Sequence, residues 1–202
     1  MTDIKKAQPD HPVADSIAKR WSPYVFADRA VPLEELLSLF EAARWAPSSY
    51  NEQPWHYIVA TQDDRPGFER VLSCLVEPNR EWARHAPVLA LGVVSLRFTR
   101  NKKPNAAAEH DLGLASANLT LEATRRGIAV HQMIGILPER AVEVFDVPEG
   151  FRVLTGLAIG YPGENPAVES KFEDRDSKAR DRRPLAEFVF SGAWGRPYDG
   201  TR

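Results

Sequence analysis

AARWAPSSYNEQPWHY, residues Ala42 to Tyr57, changes character three times: it ends a helix, makes a polar turn and starts a strand. Pro47 and Pro54 stiffen the turn at both ends, because each ring fixes φ. Between them Ser48, Ser49, Tyr50, Asn51, Glu52 and Gln53 crowd hydrogen-bonding groups onto one loop. Helix-to-strand connections are commonly rich in Ser, Asn and Pro, so composition leaves two readings open: a plain connection, or a surface presenting polar atoms to a ligand. Upstream, Leu33, Leu36, Leu37, Phe40 and Ala43 recur at helical spacing behind Pro32, a first-turn proline, with Glu34 and Glu35 suiting the helix dipole. This stripe is expected to bury one face. Downstream, His56 to Thr61 holds the β-formers Tyr57, Ile58 and Val59 and reads as a strand.

Further along, a short helix is expected from Arg65 to about Val76, then a polar connection, Glu77 to Ala86, containing Asn79, Trp82 and His85. Pro87 to Ser95 is an almost unbroken apolar run, the mark of a central strand covered on both faces. A basic loop, Arg97 to Asn105, leads into a long helix from about Ala106 to Arg126. That helix carries two apolar stripes, one on Leu112, Ala115, Leu119 and Ala123 and another on Leu114, Ala117 and Leu121, so it seeks a core on one side and a further surface on the other. A short strand follows Gly127, then a turn at Gln132 to Gly135, a helix opened by Pro138, and a buried strand from Arg152 to Tyr161. Glu164 to Arg183 is charged without a period; Leu185 to Phe190 alternates weakly, as a strand would. Residues 1 to 11 read as a loose tail before a short helix around Ile17. Helices and strands intermix without βαβ alternation, which predicts one α+β domain over residues 1–202, three layers deep around a central sheet.

A chain of 202 residues buries a sufficient core without disulfides, and Cys74, the single cysteine, permits none. The 26 basic and 28 acidic residues leave a formal charge of -2 with no single-sign block, which disfavours a nucleic-acid face. No run reaches the roughly twenty apolar residues of a membrane span, and the N-terminus lacks an apolar signal core. The chain therefore reads as cytoplasmic.

Familiar catalytic motifs are missing: no Gly-x-Gly-x-x-Gly, no Walker loop, no Gly-x-Ser-x-Gly and no His-Glu-x-x-His. The five histidines are widely spaced, and adjacent His110 and Asp111 lack the one-turn spacing of a metal pair. Polar loops and scattered cations without a nucleophile suit an organic cofactor that carries the chemistry itself.

Taken together, these segments resemble the nitroreductase family of FMN-dependent oxidoreductases, over most of the chain. The segment WAPSSYNEQPWHY is similar to the family's flavin loop, with Pro47, Ser48, Ser49 and Asn51 at the cofactor. Arg20-Trp21-Ser22 resembles the N-terminal Arg-x-Ser that holds the FMN phosphate, and Arg180-Asp181-Arg182-Arg183-Pro184 resembles the C-terminal basic-x-basic-x-Pro that returns to it. Asn79 resembles the asparagine at the ribityl and flavin edge. His110-Asp111-Leu112-Gly113 looks like the start of the interface helix, and Gln132-Met133-Ile134-Gly135 like the backbone facing flavin N5. Forked guanidinium donors suit the phosphate, and donors near N1 or O2 suit the reduced flavin.

The resemblance implies a nitroreductase-like fold with a mainly antiparallel sheet, an intertwined homodimer whose 185–202 arm lies on the partner, and FMN sites between the subunits. It implies ping-pong hydride transfer from NADH or NADPH through FMN to a nitroaromatic, quinone or enone. A flavin store or sensor without nicotinamide turnover, or an oxygen-using oxidase, are the alternative readings. Two positions depart from the family pattern: Tyr24 stands where a second cation is usual, and Trp82 where some members have Lys.

Overall fold

The computed structural model describes residues 3–201. Helices α1 (Asp15–Lys19) and α2 (Leu33–Arg44) precede strand β1 (Trp55–Thr61). Then come α3 (Arg65–Leu72), α4 (Glu77–Ala83), β2 (Val88–Ser95), α5 (Ala108–Arg125), β3 (Ala129–Met133), α6 (Pro138–Phe145), β4 (Phe151–Gly160) and α7 (Ser170–Asp176). The four strands form one sheet in the order β1-β2-β4-β3, antiparallel at every pairing. The apolar run expected at the centre is β2, and it lies there, between β1 and β4.

Two cores cover the two faces of the sheet. On one side α2 and α5 press Leu36, Leu39, Ala43, Ala115 and Leu119 onto Val88, Ala90, Leu157 and Ile159. On the other, Phe68, Leu75, Trp82 and Phe172 meet Leu89, Leu91, Val93 and Ala158. The three layers expected from the sequence are therefore present. Cys74 is fully buried among them, and burial pushes its thiol pKa up, as suits a small core residue.

Some expectations need correction. Glu77 to Ala86 is not a polar connection: Glu77–Ala83 is helical, opened by Pro78 and buried only at Trp82 and Ala83. The charged stretch after Glu164 contains α7, which docks through Phe172. Leu185 to Phe190 is no strand; Leu185–Glu187 is a single 3-10 turn, and only Phe190 bridges, to Pro197. Pro32 caps α2 rather than opening its first turn, and Leu33 and Leu37 of the expected buried stripe face solvent. The N-terminal tail, within the described residues, is tied down at Lys5, which is buried, donates to the carbonyl of Lys178 and lies 5.0 Å from the Trp21 ring. Among the described residues, no helix is long and apolar enough to cross a membrane.

Helices α2 and α5 are also joined by charge. Arg126 donates to Glu122 and to Glu35, and Arg125 adds a second donor to Glu122. These bonds favour the charged form and bring the Glu122 carboxyl down from 4.5 to about 2. A carboxyl depressed in the folded state stabilises it above the unfolded pKa. The tie is expected to be fully present above pH 4.5 and to be lost as pH falls toward about 2. Urea midpoints across that window should fall less in Glu122→Gln than in the wild type; equal slopes would contradict the link.

Candidate functional site

A cleft of about 240 Å³ opens between the segment after α1 and the outer side of β3, lined by Arg20, Ser22, Ala117, Thr120, Leu121, Val130 and Gln132. The extended chain after α1 places Arg20 so that its Nη1 donates to Ser22 Oγ at 3.1 Å. From the far end of the sequence, Arg180 donates to the carbonyl oxygens of Ala18 and Arg20. Burial and the neighbouring Arg180 and Arg182 push the Arg20 pKa down, and burial and Arg182 do the same to Arg180. Among the described residues, neither guanidinium is hydrogen-bonded to a carboxylate. Three guanidinium groups so arranged repel one another until an anion arrives, and forked donors match phosphate oxygens. The buried Nε of Arg180 and the indole Nε1 of Trp21 have no partner among the described residues, a further sign of a polar site open to a ligand.

The clamp that builds this cluster has other parts. Asp176, at the end of α7, accepts the N–H of Tyr24 at 2.9 Å and of Val25 at 2.9 Å. Burial raises the Asp176 pKa, while those two N–H groups and Lys5 oppose the rise. Tyr24 points into the protein, 5.2 Å from Trp82 and 4.8 Å from His131 between ring centroids. The position that departs from the family pattern is thus part of the packing and takes no place in the arginine cluster. Trp82 is likewise a core residue, 1% exposed. His131 Nδ1 donates to the Pro23 carbonyl at 2.8 Å; burial depresses its pKa and nearby Arg20 adds to that, against the pull of Pro23.

Strand β3 leads from the cleft to the second group of expected residues. Met133 is buried, its carbonyl accepting from Thr155 Oγ1 at 3.0 Å. The next carbonyl but one, that of Gly135, accepts from Asn79 Nδ2 at 2.9 Å and from the Val76 N–H at 3.1 Å. A Cβ at Gly135 would lie 2.4 Å from Asn79 Nδ2, so only glycine allows this approach. Asn79 and Gly135, distant in sequence, are therefore neighbours. Ile134 stands out at 88% exposed, and among the described residues no loop hydrogen bond uses the N–H of Ile134 or Gly135. Those two donors are free for a ligand.

The loop after Pro47 lies elsewhere in the chain. Ser49 N–H bonds Asp111 in the first turn of α5, whereas Ala117, Thr120 and Leu121, which line the arginine cleft, sit in its second half. At about 1.5 Å per residue, Asp111 and Thr120 are roughly 14 Å apart along the helix. One chain does not put Ser48, Ser49 and Asn51 into the arginine cleft. Tyr50, Asn51 and Gln53 all have positive φ, 53°, 55° and 52°. Left-handed backbone costs a non-glycine residue about 1–2 kcal/mol, and such strain clusters at functional sites. Gln132, within a quoted motif but not singled out, also lines the cleft; its Nε2 donates to Thr120 Oγ1 and the Ser116 carbonyl.

Residues 17–161 match the Nitroreductase family. The chain belongs to that family. A Methanothermobacter thermautotrophicus relative named for NADH dehydrogenase and NAD(P)H nitroreductase is 31% identical over 166 residues, 80% of this chain and 83% of its own. The major NAD(P)H-flavin oxidoreductase of Aliivibrio fischeri is 26% identical, over 81% of this chain and 97% of its own. A solved oxidoreductase containing FMN superposes with a TM-score of 0.87 at 34% identity, covering 96% of this chain and 98% of that one. The antiparallel sheet and flanking helices of this nitroreductase-family chain are those of that fold.

Proposed function

We propose that the chain is an FMN-dependent NAD(P)H oxidoreductase, passing hydride in a ping-pong cycle to a nitroaromatic, quinone or enone-type acceptor. The observation that carries this reading is the convergence of Arg20, Arg180 and Arg182, whose guanidinium groups are bonded to no carboxylate among the described residues, beside the strand that leads to the unused N–H groups of Ile134 and Gly135. FMN, when bound, supplies the hydride chemistry, so no side chain need be a nucleophile. Arg20, Ser22 and Arg182 hold the phosphate, and Arg180 fixes Arg20 by gripping its carbonyl. Trp21 closes the segment against Lys5. Met133, Ile134 and Gly135 carry the N5-facing backbone, braced by Asn79.

Ser48, Ser49 and Asn51, with Pro47 setting the loop, complete the flavin edge from a second copy of the chain, since their own chain holds them away from its arginines. The outward apolar surface on Leu33, Leu37, Ile134 and, at 94% exposed, Trp194 supports a homodimer, as does the open stripe of α5. The 185–202 arm, carrying Phe188 and Trp194 outward, lies on that partner.

The purified protein should show a flavin spectrum that NADH or NADPH bleaches anaerobically and a quinone or nitroaromatic restores, with parallel double-reciprocal plots. Bound flavin that neither nicotinamide bleaches would exclude the oxidoreductase and leave the store.

A further inference from the structure

We propose that Asp111 is a positioning residue for the loop that meets the flavin edge; the proposal rests on the FMN reading above. Asp111 is 2% exposed, and a carboxylate that far from water is costly unless it is used. Its carboxylate has two polar partners among the described residues. Its Oδ2 accepts the Ser49 N–H at 3.0 Å, and its Oδ1 faces His110 Nδ1 at 3.3 Å. The side chain of His110 is itself solvent-exposed, so the contact that reaches into the loop is the one to Ser49.

The loop needs such a hold. Three of its residues, Tyr50, Asn51 and Gln53, sit in the left-handed region and would relax if released. Three of the acceptors that oppose that are side chains reached by backbone N–H groups: Ser48 Oγ receives Gln53 N–H at 3.1 Å, Glu52 Oε1 receives Thr99 N–H at 2.7 Å, and Asp111 receives Ser49 N–H. The first lies within the loop, and the second joins it to another exposed loop. Of the three, it is Asp111 that ties the turn to a rigid helix, while the Pro54 carbonyl at the loop's end accepts the Ser95 N–H of β2. That helix also supplies Ala117, Thr120 and Leu121 to the arginine cleft. Asp111 thus fixes the loop to the helix whose second half lines this chain's own phosphate site, and so fixes the direction in which Ser48 and Asn51 are presented to the flavin of the second copy. Donors near N1 or O2 favour the anionic reduced flavin, so their direction sets the potential.

The test compares holoenzymes. Asp111→Ala should raise the FMN dissociation constant on the order of tenfold and shift the flavin reduction potential negative. Asp111→Asn keeps an acceptor for Ser49 and should restore both. Ser49→Pro deletes the same hydrogen bond from the other side; Ser48 is already extended, as a residue before proline must be. It should match Asp111→Ala, while Ser49→Ala, which keeps the N–H, should shift the potential less. Folded Asp111→Ala with wild-type affinity and potential would overturn the proposal. So would Asp111→Asn behaving like Asp111→Ala, or, where Asp111→Ala does not fold, Ser49→Pro behaving like Ser49→Ala. A wild-type protein that binds no FMN would instead remove the reading on which the proposal rests.

Discussion

Replacing Arg20 by alanine is expected to weaken FMN binding on the order of 100-fold while leaving the flavin-free protein at least as stable as the wild type. Hydrogen bonds to a charged group contribute about 1.5–3 kcal/mol each, and a fork aimed at a phosphate makes up to two. Without the anion the sign reverses. Arg20 then lies half-buried against Arg180 and Arg182, its side chain bonded among the described residues to Ser22 Oγ, and burial and the neighbouring charges both disfavour its ionised form. Removing it relieves that repulsion. Fluorescence titration with FMN and thermal unfolding of the apoprotein read the two effects separately. A residue of purely structural value would lower the melting temperature and leave affinity alone.

Trp82→Ala should have the largest effect on stability, about 3–5 kcal/mol, or on the order of 10 °C in melting temperature. The ring is fully enclosed, tilted against His131 at 4.4 Å and stacked on Phe26 at 6.5 Å, with Tyr24 edge-on. The damage also reaches the site, because His131 holds the Pro23 carbonyl one residue beyond Ser22. Trp82→Phe retains most of the packing and should bind FMN normally. If Trp82 served the flavin directly, as a lysine at this position is implied to do in some relatives, Trp82→Phe would alter flavin affinity with little change in melting temperature.

The contrast between these two residues shows what the sequence could reveal. Strands β2 and β4 were legible because continuous apolar runs have one cheap solution, burial on both faces. Helix α4 was not, since its buried residues are a single Trp-Ala pair at its end and no stripe betrays its period. In α7 a lone Phe172 does the docking. The α2 period was right but its face was misjudged at Leu33 and Leu37, because periodicity cannot separate an apolar face turned to the core from one turned outward. Arg20 and Ser22, paired in the sequence by their spacing, are hydrogen-bonded to each other in the structure. Arg180 was assigned to the phosphate, yet its bonds run to the carbonyls of Ala18 and Arg20. Backbone acceptors some 160 residues away leave no mark in side-chain identity. Nor could the sequence show that Asn79 reaches Gly135, a contact that depends on α4 being a helix.

The arginine cluster as a phosphate site is the claim on which the rest depends, and comparison of FMN with riboflavin isolates it, because the two ligands share the ring and ribityl chain and differ only in the phosphate. Equilibrium titration of the apoprotein should find FMN bound on the order of 100-fold more tightly than riboflavin, with the gap narrowing as salt screens the charges. Equal affinities at low salt would contradict the account.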